Sequence, residues 1–204
     1  MKQNTVIVAI GDSGKRIVSG IECEQQKIIL HLEPEIEQDS MKIEVLDKNN
    51  NVSIEKLFKI HPKYNFHRND DGTKFKLDLS NPYFFGDKDE EIFGLVKDFD
   101  VILLIVPLGS RSGRQLSAAF VNLCLEYEKQ VVALVNMPLE LEGIKLNDKA
   151  SQALKYLEQR IPVTTIKYDY TNADENCRIY QLFEYAEEKT CNALKEILRG
   201  KYKE

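Results

Sequence analysis

Residues Asp100–Pro107 read DVILLIVP, an aliphatic run with no polar alternation. A strand with one face in water alternates polar and apolar residues. A continuous run suits a strand buried on both faces, as in a parallel sheet covered by helices. Thr5–Ile10 (TVIVAI) and Val131–Val135 have the same character. Lys27–Leu32, Met41–Leu46 and Val163–Tyr168 read as further strands. Helical segments alternate with them: Lys15–Ile21, Asp87–Lys97 with Asp87 near its N-cap, Leu116–Tyr127, Asp148–Gln159 and Ile179–Leu198. In the last, Ile179, Leu182, Phe183, Ala186, Ala193, Leu194, Ile197 and Leu198 recur near helical spacing and form one apolar stripe. The pattern predicts an α/β fold, a three-layer Rossmann-like, mostly parallel sheet with helices on both faces. Asp47–Gly86, rich in Asn, Asp and Gly, reads as loops, with Lys74–Leu79 as an alternating strand.

With 204 residues, the chain fits one domain spanning residues 1–204. An apolar share of 43% excludes wholesale disorder. The 28 basic and 33 acidic side chains give a net charge of −5 with no basic block, which argues against general nucleic-acid binding. Cys23, Cys124, Cys177 and Cys191 form no CxxC pair and have no histidine at ligand spacing, so reduced thiols are expected rather than zinc. No apolar run reaches the length of a membrane span or signal core, so the expected location is cytoplasmic, with no membrane partner.

Two strand ends carry the candidate chemistry: Gly11-Asp12-Ser13-Gly14-Lys15 after the first strand, and Gly109-Ser110-Arg111-Ser112-Gly113 after the central one. Each leads from a buried strand toward a helix. Such a junction presents unpaired backbone N–H groups and the positive end of a helix dipole, which suits an anion. The first departs from a P-loop, because Ala9 stands where the first glycine belongs and Arg16 where the magnesium-binding hydroxyl belongs. His31, His61 and His67 form no triad. Ser13, Ser110 and Ser112 have no assignable base.

Gly11–Ile17 (GDSGKRI) resembles the tubulin GQCGNQI loop. Asp100–Gly113 (DVILLIVPLGSRSG) resembles the FtsZ strand and its GGGTGTG loop. Met137–Leu157 is similar to the FtsZ stretch KPFxFEGxxRxxxAxxGIxxL, matching at Pro138, Glu142, Gly143, Ala150, Leu154 and Leu157. Ile166–Asp169 and Leu182–Leu198 resemble the strand and central helix that follow. The chain thus resembles the nucleotide-binding domain of the tubulin/FtsZ family. That resemblance implies phosphate binding at Gly11, Asp12, Ser13, Gly14 and Lys15 and at Gly109, Ser110, Arg111, Ser112 and Gly113. It implies a ribose contact at Glu142 and a base stacked on Phe183. Glu187 and Glu188 stand where the family reads the guanine edge, and a carboxylate can accept from guanine N–H groups.

The chain departs from the family where Thr-Gly-Thr-Gly becomes Ser112-Gly113-Arg114-Gln115, where a signature glycine becomes Arg111, and where the ribose-side arginine becomes Leu146. Lys15, Arg16, Arg111 and Arg114 flank the loops. Arg111 either pairs with a phosphate or fills the γ-phosphate space. The family's catalytic loop and second domain would follow the last helix and are absent from these residues. The resemblance therefore implies a guanine-nucleotide binder taking GTP or GDP, with Mg²⁺ an option. Intrinsic GTPase activity is expected to be weak or nil. The role would lie in cell division or the cytoskeleton, with an FtsZ-like protein or a second copy as partner. Two alternatives stand: an interaction scaffold that has lost the nucleotide, or an α/β enzyme acting on another phosphorylated small molecule.

Overall fold

The computed structural model describes residues 4–33, 40–59, 67–68, 75–76, 85–168 and 178–200. In chain order the elements begin with β1 (Thr5–Ile10), α1 (Gly11–Ser19), β2 (Lys27–Glu33), β3 (Ser40–Leu46) and β4 (Val52–Lys59). The short strands β5 (His67–Arg68) and β6 (Phe75–Lys76), a 3₁₀ turn at Gly86–Lys88 and α2 (Asp89–Phe93) come next. Then follow β7 (Val101–Pro107), α3 (Arg111–Glu126), β8 (Gln130–Asn136), a 3₁₀ turn at Glu140–Glu142, α4 (Ile144–Glu158), β9 (Val163–Ile166) and α5 (Ile179–Leu198).

Seven strands form one sheet in the order β4-β3-β2-β1-β7-β8-β9, while β5 and β6 pair separately. The pairs β1–β2, β1–β7, β7–β8 and β8–β9 are parallel. The pairs β2–β3 and β3–β4 are antiparallel. Successive residues of β1 and β7 enter opposite cores. Val6, Val8, Ile102 and Leu104 pack with Leu116 and Phe120 of α3 and Leu157 of α4. Ile7, Ala9, Leu103 and Ile105 pack with Ile17 and Val18 of α1 and Leu194 of α5. Burial of both faces is why these strands carry no polar alternation.

The expected α/β sheet is present, and several expected boundaries are corrected. Residues 52–59, expected as loop, form β4, an edge strand with Val52, Ile54 and Leu57 exposed and Phe58 buried. Its lone apolar residues sit among charges because only one side packs, so the segment reads as polar. Asp47 builds the preceding turn by accepting from the backbone N–H groups of Asn49 and Asn51. The helix expected from Lys15 begins at Gly11, whose φ of 70° turns the chain directly out of β1. The helix expected from Leu116 begins at Arg111, because the Ser110 Oγ accepts from the Gly113 N–H as an N-cap. The helix expected from Asp148 begins at Ile144, after Gly143 at φ 99°. Of the expected helix Asp87–Lys97, Asp87 and Lys88 lie in the 3₁₀ turn and only Asp89–Phe93 is α-helical.

Helix α5 runs over Ile179–Leu198 as expected, but its stripe is not buried throughout. Ala186, Thr190 and Leu194 are buried, whereas Ile179 and Phe183 are exposed. No helix among the described residues is long and apolar enough to cross a membrane. Asp169, Cys177, His61 and most of the strand expected at Lys74–Leu79 lie outside the described residues.

Candidate functional site

The carboxyl ends of β1, β7 and β8 open into a cleft of about 250 Å³. Its walls are Ser13 from the first turn of α1, Pro107, Gly109 and Ser110 from the β7–α3 junction, and Asn136 at the end of β8. Met137, Pro138, Leu139 and Glu142 follow from the β8–α4 connection, and Tyr168, Phe183, Ala186 and Glu187 close the far side. In a parallel sheet this is where successive strand-to-helix turns converge and ligands bind.

The two glycine-bearing segments touch. A Cβ on Gly11 would lie 3.4 Å from Ser112 Cβ and 3.7 Å from Ser110 Oγ. Gly113 is required by crowding, since a Cβ there would stand 1.9 Å from the Pro107 carbonyl oxygen. Gly109 lies against Pro138 and the Glu142 carboxylate, 3.6 and 3.7 Å from where its Cβ would be. Glu142 is held by the Leu139 N–H, which donates to its Oε1 at 2.7 Å. Of the site residues named from the sequence, Ser13, Gly109, Ser110, Glu142, Phe183 and Glu187 line the cleft. Gly11 and Gly14 are buried behind it, and Asp12 is exposed at the start of α1. Arg111, the exposed first residue of α3, donates through Nε to Gln115 at 3.0 Å. Ser112 and Gly113 belong to the same first turn. Glu188 is exposed and outside the lining.

Most of the flanking cations are committed to internal partners. The Lys15 Nζ lies 2.5 Å from the buried Glu44 carboxylate. Burial by itself would raise Glu44, but hydrogen bonds from Lys15 and Lys42 hold it below the ordinary carboxylate value. Arg16 grips Glu187 through Nε at 2.8 and 3.0 Å and through Nη2 at 2.5 Å, and Nη2 also donates to Ser13 Oγ at 2.8 Å. This pairing raises Arg16 further above its ordinary value. The half-buried Arg114 donates to the carbonyls of Leu108 and Gly109 at 2.7 and 3.0 Å, and burial lowers it. Among the described residues lining the cleft there is no lysine or arginine.

Asn136, Met137 and Tyr168 were not singled out from the sequence. Asn136 is only 7% exposed, and its Oδ1 has no hydrogen-bond partner. The signal was present in the sequence, a polar residue closing the apolar run of β8, but a side chain at a strand end is as often structural. Among the described residues no group of three His, Cys, Asp or Glu is placed to hold a metal.

No family model matches the chain. No curated protein matches it either. Solved structures do. An empty FtsZ dimer from M. jannaschii aligns over 97% of this chain and 55% of its own, at 16% identity and a TM-score of 0.64. A point-mutant FtsZ from the same organism aligns over 96% and 56%, at 17% identity and a TM-score of 0.63. A CetZ from Methanosaeta thermophila aligns over 97% and 54%, at 13% identity and a TM-score of 0.58. The chain spans about half the length of the structures it matches. At these identities the likeness shows the fold: this is a divergent domain of tubulin/FtsZ-like fold.

Proposed function

We propose that the chain binds a guanine nucleotide, GDP or GTP, in the cleft at the sheet's carboxyl edge and turns it over slowly or not at all. The observation that supports this most directly is the convergence of the two glycine-bearing junctions with Glu142 and Phe183 on one cleft. The pairing of cations sets the affinity. A phosphate reaching Lys15, Arg16 or Arg114 has to displace Glu44, Glu187 or two backbone carbonyls. Binding is therefore weak, in the micromolar range or above, on the order of −8 kcal/mol or less negative. A Mg²⁺ accompanying the nucleotide would be held chiefly by its phosphates, because the described residues offer no grouped ligand set. The two cleft carboxylates are engaged, Glu142 with the Leu139 N–H and Glu187 with Arg16, which leaves neither placed as a ready base for water.

Titration calorimetry and thermal shift with GDP, GTP and ATP test the reading. A saturable heat with GDP or GTP and phosphate release near background are the expected outcomes. No heat and no shift with any of the three at millimolar concentration overturns it.

A protein partner on the same face, a second copy or an FtsZ-like relative, is a second reading. Leu141, Ile144, Ile179 and Tyr180 near the cleft expose apolar surface, Ile144 to 81%. Sedimentation at increasing concentration, alone and with such a relative, checks it. An unchanged monomer peak in both series rules it out.

A further inference from the structure

A second polar cluster lies at the carboxyl edge of the sheet, on the side of β2. Ile10, the last residue of β1, pairs with Leu30, so His31 stands level with the first turn of α1. His31 is 9% exposed and Glu44, on β3, is 4% exposed. Lys15 from α1 holds Glu44 Oε2 at 2.5 Å, and Lys42 holds the other oxygen, Oε1, at 3.0 Å. Lys42 is divided with Glu55 of β4, also at 3.0 Å. The His31 Nδ1 lies 3.2 Å from Asp12 Oδ1, and its Nε2 lies 3.5 Å from Glu44 Oε2, the oxygen that Lys15 holds. That Nε2 is buried with no hydrogen-bond partner among the described residues. With a proton on Nδ1 toward Asp12, a neutral ring turns a bare lone pair toward the carboxylate. Only a second proton makes Nε2 a donor to Glu44. Asp12, Lys15, Lys42, Glu44 and Glu55 are thus the charged groups of α1, β3 and β4 in this cluster. Glu33, two residues further along β2, is exposed, and α3 and α4 pack on the sheet's opposite face.

We infer that nucleotide binding is coupled to protonation of His31: the ligand's phosphate draws Lys15 off Glu44, and His31 takes a proton at Nε2 and replaces Lys15 on the same oxygen. The inference rests on the nucleotide reading above. A buried carboxylate that loses its nearest cation favours the charged form of any neighbour that can become positive. Histidine is the side chain that changes charge near neutral pH. Lys42 stays on Oε1 and is shared with Glu55, so it leaves Oε2 to the ring. The exchange conserves charge at Glu44. One ammonium leaves for the phosphate, and one imidazolium, protonated from solvent, takes its place. The cost of parting Lys15 from Glu44 is offset in this way, and affinity rises as pH falls.

Calorimetry of GDP on the intact chain, in buffers of different ionisation enthalpy, reads the protons taken up on binding. At about pH 7.5 the parent should take up about half a proton or more per GDP beyond His31→Gln. Its affinity relative to that variant should rise about threefold or more from about pH 8 to pH 7, as that uptake requires. The ligand's own phosphate titration is common to parent and variant and drops out of the comparison. Lys15→Met should bind GDP more weakly and also without the extra uptake, since the exchange has already taken place in the empty protein. The exchange is also read without ligand, by NMR titration of the ring, its signals assigned through His31→Gln. His31 should stay protonated to higher pH in Lys15→Met than in the parent. Equal proton uptake by parent and His31→Gln, or an affinity ratio independent of pH, overturns the inference while leaving the nucleotide reading standing. Identical His31 titration in parent and Lys15→Met overturns the exchange whatever the ligand does. No heat with GDP overturns the nucleotide reading and the coupling together.

Discussion

Lys27 is 2% exposed, and its ammonium donates to the Ile21 carbonyl and to Asn50 Oδ1, both at 2.5 Å. Asn50, at φ 64°, in turn donates to the Ser19 carbonyl at 3.0 Å. One buried cation thus ties the β3–β4 turn to the C-terminal end of α1, where the helix dipole favours positive charge. Lys27→Met fills the same space but leaves the buried Ile21 carbonyl and the part-buried Asn50 Oδ1 without this donor, and should destabilise the protein by roughly 1–3 kcal/mol in urea unfolding. A variant as stable as the parent would show that the ammonium's desolvation cancels its bonds. Glu44 gives a pH test. It packs beside Lys15, Lys42 and His31, with His31 Nε2 3.5 Å away and His31 Nδ1 3.2 Å from Asp12. Its folded-state value lies below the ordinary 4.5, so its contribution is present above pH 4.5 and is lost as pH falls through the folded value. The gap in melting temperature between parent and Glu44→Gln should be widest near neutral pH and close in acid. A constant gap would place the effect in packing.

At the level of elements, the two strand-to-helix junctions decide the cleft's shape. Both helices start earlier than their apolar patterns suggest, because the first turn holds glycine, serine and charged residues whose role is to bend and cap. Ser110 caps α3, and the Gly113 position lies so close to the Pro107 carbonyl that no side chain fits. Gly113→Ala should cost about 3 kcal/mol or more, since backbone on both sides must move. Gly109→Ala meets only ordinary contacts, 3.6–3.8 Å from Pro138 and Glu142, and should cost far less in the same urea series. Equal losses would show that glycine's conformational freedom, not crowding, is what the junction uses. Strand β4 teaches the complement. Its residues alternate weakly because one face is open, and only the pairing of Val45 with Ile54 and of Met41 with Phe58 reveals it as part of the sheet.

Across the whole molecule, two apolar layers sandwich the sheet, and reactivity follows burial. Cys124, on α3 inside the larger core, has its thiol pushed up to about 12 by desolvation. Pulse alkylation in a urea series, read by mass spectrometry, should show Cys124 protected until the global transition, whereas the half-buried Cys23 is labelled earlier. Labelling of Cys124 at low urea would reveal a local opening of α3. The order and type of the main elements were legible in the residues, because doubly buried strands and one-faced helices leave strong apolar patterns. The resemblance at Gly11–Ile17, Asp100–Gly113 and Met137–Leu157 pointed to the fold that the solved structures then matched. Pairing was not legible. That Arg16 reaches Glu187, that Lys15 turns to Glu44, and that Arg114 folds back on its own loop depend on residues up to 171 positions apart meeting in space. Local sequence determined where chain and core lie. Tertiary contact decided which charges were already spent and left the Asn136 Oδ1 buried without a partner.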